Sequence, residues 1–576
     1  MKIQSGIQKS IINRQNIISE LSESPLFLQH EFKTINFYAM ETFSISNLDL
    51  VIVLVYLAFI IWWGLKNGKS SDSQSYFLAG RSMPWWVVGL SLFAASISST
   101  TLIGQSGDAY HTGIAVFNYN LTGIVVMVFF AVFLLPLYIK SGIFTIPEFL
   151  EKRFDRRSRY YFSAICIIGN IFLDAAGALY AAALIIKLIL PDADLQLIII
   201  VFAIIAASYT IPGGLSSAIN AELIQAVILI LGSILLTFYC FQQGGDYFYQ
   251  LFASGDISVK LIRPLTDTAT PWLGLIVGMP VLGIYFWANN QTLVQRVLSS
   301  KSVDEGRKGV LFTGFLTMLT LFIIAIPGVI ARHLFPGLEK PDMVYPNMVL
   351  QLIPVGLLGI MLAALLSALT STLSAILNST STLFTMDFYA QYNKNASSQK
   401  LVIIGKITSC VIIVAAALWA PQIGKFGSLL KYYQEMLSYI APPVVAAFLL
   451  GVFNKRVNGN GAFAGLLSGL AIAVVMLFYK NEIFGDMHFL LIVPFLLAVS
   501  GIVIYLVSMC YSKPVAEKLV DTTFSMSELK AEFRANRALV WYKNYHSWAI
   551  VLLVLSVLIW ICLLYTSPSP RDGLLS

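Results

Sequence analysis

Charged side chains are scarce. Asp, Glu, Lys and Arg make up 12% of the 576 residues, about half their share in a soluble globular chain. A soluble domain of this size is therefore excluded; 57% hydrophobic residues and a mean hydropathy of +0.77 say the same. Alternating polar and apolar runs are lacking too, so a membrane β-barrel does not fit. Cysteine is sparse: there are five, without paired spacing, and Cys166, Cys240, Cys410 and Cys510 lie in or beside apolar runs. They read as buried thiols, with no disulfide framework. The five histidines, His30, His111, His333, His488 and His546, are scattered. No nucleophile–base set and no metal-ligand group follows from them, so neither an enzyme nor a bound cofactor is indicated. A channel would need a continuous polar pore, and the sequence displays only local polar clusters.

What is present is a series of continuous apolar runs near the 20 residues that span a bilayer. They fall at 47–65, 84–106, 114–139, 160–188, 195–211, 221–241, 270–294, 309–331, 353–386, 401–420, 428–452, 461–479, 488–511 and 547–561. The chain is thus predicted to be an all-α polytopic membrane protein with about fourteen transmembrane helices. Its net charge of +7 does not point to nucleic acid, because the basic residues sit in short loops. Lys66, Lys69 and Arg81 follow the first span, Lys152 to Arg159 the third, Arg296 to Lys308 the seventh, Lys455 and Arg456 the eleventh, and Lys513 to Lys543 the thirteenth. These loops share one face, read as cytoplasmic by the positive-inside rule, with both termini outside. The expected setting is a bacterial inner (plasma) membrane, the expected state a monomer or weak homo-oligomer. Residues 1–39 lack a signal-peptide core and read as a non-native or disordered extension before Met40. The stretch from Cys562 to Asp572 reads as the translation of a sequencing adapter, so 562–576 is set aside.

With the leading helix and loop (40–83) and the C-terminal helices (454–561) removed, ten spans remain over 84–453. They divide five and five, and each half begins with an interrupted segment. In 84–106 the interruption is a Ser/Thr cluster; in 270–294 it is Gly278-Met279-Pro280 with Gly283, followed by Asn289-Asn290-Gln291. Paired interruptions of this kind mark inverted-repeat transporters that bind at the bilayer midplane.

Two hydroxyl clusters stand where a span should have none: Ala94-Ala-Ser-Ile-Ser-Ser-Thr-Thr101 and Ser367-Ala-Leu-Thr-Ser-Thr-Leu-Ser374. Hydroxyls and freed carbonyls are hard oxygen ligands suited to Na⁺. At helical spacing Ala368, Ser371, Thr372 and Ala375 share a face, offering two hydroxyls and a carbonyl. The same small residues also suit close helix packing. Among ionisable groups, Asp174 lies deep in an apolar span and is a functional candidate by default. Glu222 opens the span 221–241, either as a helix N-terminal acid or as part of a cation path. Asn118, Asn120, Asn289, Asn290, Gln291, Gln295 and Gln434 supply amides that suit a neutral polyhydroxylated ligand. Tyr119, Tyr285, Phe286 and Trp287 offer faces for a sugar, or a gate, or plain packing.

At these residues the chain resembles the sodium/solute symporter family, in particular its branch of bacterial sodium/galactose and animal sodium/glucose transporters. The matching blocks are Tyr76-Phe-Leu-Ala-Gly-Arg-Ser-Met-Pro-Trp-Trp86, Phe144-Thr-Ile-Pro-Glu-Phe-Leu-Glu-Lys-Arg-Phe154, Gln295-Arg296 with Lys301-Ser302, Ala363 to Asp387, and Phe448-Leu-Leu-Gly-Val-Phe453. The resemblance spans roughly residues 47–510. It implies a LeuT-like 5+5 inverted repeat, alternating access, and import of a small polar solute with Na⁺ as the coupling ion. The solute implied is a sugar or polyol, with sialic acid, an amino acid or another organic anion as the alternative. A membrane sensor or receptor built on the transporter fold, which would carry a long cytoplasmic signalling domain, stays the alternative of another class, because the adapter-like C-terminal end leaves room for a domain cut off beyond it. The family's sodium site falls on the carbonyls of Ala94, Ile97 and Ala368 and the hydroxyls of Ser371 and Thr372. A second sodium or exit path would involve Ser371, Ser374 and Glu222, with Ala375 where a further hydroxyl is usual. The implied solute site holds Thr101, Tyr119, Asn120, Asp174, Trp287, Asn290, Gln291 and Gln434, with Phe286 as the inner gate beside Tyr285. Thr101, Asn120, Asp174 and Thr317 depart from the galactose pattern.

Overall fold

The structure, a computed structural model, describes residues 45–564 except 68–71, 99, 191, 268, 339, 424–428 and 486. The predicted extension over 1–39 and the tail beyond Leu564 lie outside the described residues. Twelve described helices are long and apolar enough to cross a membrane. One of them, Leu195–Ser254, has 60 residues, about 90 Å at 1.5 Å per residue and far more than one crossing needs. It breaks at Gly214, whose φ of +61° and ψ of −153° are not helical. A Cβ there would lie 2.6 Å from the Tyr76 carbonyl oxygen, so only glycine makes this turn. With the bent pair Trp85–Ser96 and Thr101–Thr112 also taken as one span, fourteen spans result, as the sequence predicts.

We number them in chain order. They are α1 (Asn47–Asn67), α2 (Trp85–Ser96 with Thr101–Thr112), α3 (Ile114–Lys140), α4 (Arg156–Lys187), α5 (195–213), α6 (215–254) and α7 (Trp272–Asn289). There follow α8 (Val303–Leu334), α9 (Leu357–Tyr392), α10 (Ser398–Ile423), α11 (Tyr433–Phe453), α12 (Gly459–Phe484), α13 (Phe489–Met509) and α14 (Tyr545–Leu564).

Helix ends explain themselves locally. Asp49 is fully buried near the start of α1, and its Oδ1 accepts from the backbone N–H groups of Gly356 (2.9 Å) and Gly359 (2.6 Å). A carboxylate thus meets the positive end of α9 and satisfies donors that have no helical partner. Asp155 caps α4 through the Ser158 N–H, and Ser302 caps α8 through the Glu305 N–H.

The basic loops do gather at one end. Arg81 donates to the carbonyls of Gly142 and Ile143, Lys301 N–H to Met83, and Ser73 N–H to Ser398. Arg153 is wholly buried and donates to the carbonyls of Gly451, Asn454 and Val457. Its burial holds the guanidinium down at about 10. A short helix, Met526–Asn536, closes this end: Glu528 pairs with Lys140 at 3.0 Å and Glu532 with Arg307. At the opposite end Arg332 binds the carbonyls of Tyr110 and His111 and the Ser258 hydroxyl. The first described residues and the end of α14 both lie at this cation-poor end.

Packing follows the membrane rule that small residues let helices approach. α9 is the centre, with 94% of its most apolar stretch buried. Gly232 of α6 faces Ala364 of α9 so closely that an added Cβ would lie 2.5 Å from the alanine methyl. Two sequence expectations are refined here. In α7 the helix is divided at Gly278 into Trp272–Val277 and Met279–Ile284, with Gly278 itself still in helical backbone (φ −95°, ψ −52°), and the chain leaves the helix at Asn290 (φ −73°, ψ 117°), after which Gln291–Leu298 starts afresh. Pro280 sits in the first turn of the second piece, where its missing N–H is tolerated. Glu222 does not open a span, because the helix already begins at 215.

Candidate functional site

The break in α2 brings the two hydroxyl clusters together. Helix Trp85–Ser96 ends at Ile97, whose φ of −86° and ψ of 79° leave the helix. Much of the first cluster serves that break. Ser98 Oγ accepts from the Thr101 N–H at 3.3 Å, Thr101 Oγ1 donates to the Ser96 carbonyl at 3.1 Å, and Ser96 Oγ donates to Phe93 at 2.8 Å. Interrupted backbone at membrane depth needs such substitutes for lost helical bonds.

The second cluster divides by direction. Ser367, Thr370 and Ser374 face α1, α5 and α6. Ser367 meets the Tyr56 hydroxyl at 2.5 Å, Thr370 accepts from Gln225 at 3.0 Å, and Ser374 accepts from Thr210 at 2.9 Å. Ser371 faces α2: its hydroxyl reaches the Ala94 carbonyl at 3.2 Å and the Ala368 carbonyl at 3.0 Å. Thr372 Oγ1 also donates to Ala368, at 2.9 Å. Ala94, Ile97, Ala368, Ser371 and Thr372 are all buried. Of the predicted sodium set, Ala94, Ala368, Ser371 and Thr372 bring neutral hard oxygens together from two helices, with Ser371 bridging to Ala94 across 277 residues of sequence, and Ile97 stands at the break beside them. That donor chemistry suits a monovalent cation.

The proposed second cation position is built differently. Glu222 is fully buried and paired with Arg296, Arg296 Nη2 to Oε1 at 2.5 Å and Nε to Oε2 at 3.2 Å, and it accepts from the Ser91 hydroxyl. Its charge is answered by a guanidinium, and its carboxylate ties α6 to α2 and to the segment after α7. Buried charges persist only when paired in this way. Ser374 is bonded to Thr210 rather than to Glu222.

Above the Ser371 contact lies a cavity of about 110 Å³, room for several waters or one small polar solute. Ile97 and Thr372 form part of its floor. Most predicted solute residues line it: Thr101, Tyr119, Asn120, Asp174, Trp287, Asn290 and Gln434, with Phe286 as the predicted gate. Four reach it from π-helical turns, Thr101 from Thr100–Gly104, Asp174 from Asn170–Ala175, and Phe286 and Trp287 from Tyr285–Asn289. A π turn widens the helix and swings its side chains off the regular face, and such turns cluster at functional sites. Gly123 of α3 makes room for the indole; a Cβ there would lie 2.5 Å from Trp287 Nε1.

Two predicted residues are elsewhere. Gln291 accepts from the Ile146 N–H at 2.8 Å and donates to the Phe144 carbonyl at 3.2 Å, so it anchors the 144–146 turn. Tyr285 packs into the core against Phe162, 6.4 Å between ring centres. In a widened helix turn, neighbours in sequence diverge, so Phe286 and Trp287 face the cavity and Tyr285 does not.

Among the lining residues that went unread in the sequence are Gln105 and Tyr433. Gln105 exchanges hydrogen bonds with Asn120, the shorter from Asn120 Nδ2 at 2.9 Å. Tyr433 hydrogen-bonds Asp174. Gln105 sits at the predicted edge of its span, where an amide reads as interfacial, and Tyr433 at the start of α11 reads as a membrane-interface tyrosine. Their signal was proximity in sequence to a second amide, Gln434, and to the hydroxyl cluster. A wider vestibule of about 660 Å³ shares Tyr119 and Gln434 with the cavity and opens at the cation-poor end. Beside it, Lys480 of α12 pairs with Glu435 of α11 at 3.1 Å.

Residues 76–469 match the family model described as "Sodium:solute symporter family". Among curated proteins, sodium/glucose cotransporter 1 of Ovis aries is 33% identical over 528 residues, covering 81% of this chain and 79% of that protein. The sodium/glucose cotransporter of Vibrio parahaemolyticus is 34% identical over 467 residues, covering 75% and 86%. Among solved structures, a Na⁺-coupled sialic acid symporter in a substrate-bound outward-open state aligns with a TM-score of 0.73 at 22% identity, over 81% of this chain and 99% of that one. Mhp1, a nucleobase-cation-symport-1 family transporter in a closed conformation, aligns at 0.52 and 13% identity, over 79% and 99%.

Proposed function

The chain belongs to the sodium:solute symporter family, and from that premise we propose how its residues divide the work of importing a sugar or polyol with Na⁺. It is a multi-pass, LeuT-fold secondary transporter and not an enzyme. The observation that carries the assignment of sites is the Ser371 hydroxyl on the Ala94 carbonyl, directly under the solute cavity.

Na⁺ takes the oxygens of Ala94, Ile97, Ala368, Ser371 and Thr372. The Ser371 and Thr372 hydroxyls then turn from their carbonyl partners to the ion, and α2 is held against α9. That fixes the break in α2, and with it Thr101 at the cavity wall. The solute enters by the vestibule. The mutually bonded Gln105 and Asn120, with Asn290 and Gln434, present paired donors and acceptors to hydroxyl groups, while Trp287 and Phe286 cover an apolar face. Closure above Tyr119 and Gln434 and opening below then release both cargoes inward, because ligand binding favours the state it fits best. One Na⁺ per cycle is the stoichiometry that fits, since the Glu222 carboxylate is already neutralised by Arg296. An organic-anion solute is less well served: among the described residues no Lys, Arg or His lines the cavity. The cation-rich end is cytoplasmic, both described ends face outward, and the setting is a bacterial plasma membrane, with the monomer as working unit.

The driving force suffices. About 2.3 kcal/mol per charge at 100 mV and about 1.4 for a tenfold Na⁺ gradient together permit roughly 500-fold accumulation per Na⁺. The test is uptake of sugars and polyols into proteoliposomes. Transient accumulation that vanishes when the Na⁺ gradient is collapsed supports the reading; flux indifferent to Na⁺ overturns it.

A further inference from the structure

Among the described side chains lining the solute cavity, Asp174 alone can carry a formal charge at neutral pH; the others are amides, hydroxyls, a thioether, aromatics and aliphatics. It reaches the cavity from the π-helical turn Asn170–Ala175, at a depth where a carboxylate is expensive to keep. The same turn is fixed in place by Asn170, whose Nδ2 donates to Ser379 (3.1 Å) and Thr380 (2.9 Å) of α9. The hydrogen bond that reaches the carboxyl comes from the neutral Tyr433 hydroxyl, and among the described residues no basic side chain lines the cavity to balance it. The fully buried acids Glu222, Asp387 and Asp49 each have a counter-charge or a helix N-terminus: Glu222 has Arg296, Asp387 has Arg159 at 2.7 Å, and Asp49 has the start of α9. The same cavity is lined by the rings of Tyr119, Phe286, Trp287 and Tyr433. Aromatic walls with one acid at the bottom form the usual enclosure for a desolvated ammonium group.

We propose that the solute itself supplies the missing positive charge: the site selects a sugar or polyol bearing a cationic amine, which Asp174 binds by a charge-assisted hydrogen bond while the amides hold the hydroxyls. This rests on the sugar-symport reading and narrows it to amino sugars and amino polyols. A consequence is electrical. The solute adds one positive charge to that of the co-transported Na⁺, so each cycle moves one more charge than a neutral sugar would.

The experiment uses the full-length protein in proteoliposomes at about pH 6, well below the usual ammonium pKa. Glucose, galactose and mannose are each compared with their 2-amino and 2-N-acetylamino forms, for Na⁺-driven uptake and for charge moved per solute. The expected result is a preference of about tenfold or more for one amino form over both its neutral partners, the range of a charged hydrogen bond. Asp174→Asn should abolish that preference and leave residual neutral-sugar uptake, and Asp174→Glu should restore part of it. The amino sugar should also carry one charge more per molecule than the neutral sugar. Na⁺-driven uptake in which neutral and amino forms compete equally, or the neutral form wins, overturns the proposal while leaving sugar symport intact. Absence of Na⁺-driven uptake for every hexose overturns both.

Discussion

At the residue scale, one helix carries two kinds of hydroxyl. Ser367, Thr370 and Ser374 are consumed in bonds to Tyr56, Gln225 and Thr210, whereas Ser371 and Thr372 bond only carbonyls of α2 and α9. Sequence spacing put Ser371 and Thr372 on one face, and the family resemblance added Ala94 and Ile97. Spacing alone left packing and cation binding equally open, because the partners that decide lie 145 to 311 residues away. The distinction has a measurable form. Ser374→Ala should lower thermal stability by about 1 kcal/mol, one neutral hydrogen bond, and leave the Na⁺ requirement unchanged. Glu222 shows the same limit of sequence reading: nothing local names Arg296 as its partner. Glu222→Gln would strand a buried guanidinium, with a loss of about 3–5 kcal/mol seen as a collapse of the melting temperature in detergent. Glu222→Gln combined with Arg296→Met should recover most of that loss; if the double variant is no better than the single, the pair is not the reason for the burial.

At the element scale, what the sequence displayed was where helices stop being regular, with less success at naming the residue that stops them. The Ser/Thr cluster of α2 was correctly read as the first break. In α7 the Gly-Pro stretch marks where Trp272–Val277 gives way to Met279–Ile284 with little change of backbone, and the chain leaves the helix at Asn290, in the Asn289-Asn290-Gln291 run that follows. π-helical turns have no clear sequence signature, so the swing that aims Phe286 and Trp287 inward and Tyr285 outward was invisible beforehand. The turn at Gly214 is a firmer element-scale case. Gly214→Ala adds a methyl 2.6 Å from Tyr76 in a backbone conformation that alanine avoids. It should reduce the folded yield in membranes by several-fold, and a purified variant melting like the parent would show that the turn tolerates a side chain. The inner ends of α4 and α9 are joined by Arg159 and Asp387, which also accepts from Thr145 and Ser163. Asp387→Asn should loosen this end and raise the labelling of cysteines placed near residues 145 and 163 by membrane-permeant thiol reagents.

At the scale of the whole molecule, hydropathy and loop charge were enough for the count of spans and the sorting of loops. Apolar length and Lys/Arg placement are local properties that the bilayer imposes directly. The bonds among residues 81, 142, 153, 301, 454 and 518 bear out that sorting at one end. In a chain freed of native cysteines, Lys340→Cys should react with a membrane-impermeant thiol reagent in intact cells. Lys455→Cys should react only after permeabilisation, and the reverse pattern would invert the assigned orientation. The central claim, that a cation clasped between α2 and α9 licenses solute binding, is tested most directly by a Na⁺ titration of solute uptake in proteoliposomes, comparing the parent with Thr372→Ala. The account predicts that the half-saturating Na⁺ concentration rises about tenfold or more while the order of preference among solutes is unchanged. An unchanged Na⁺ curve with an altered solute preference would contradict it and move Thr372 from the cation to the solute.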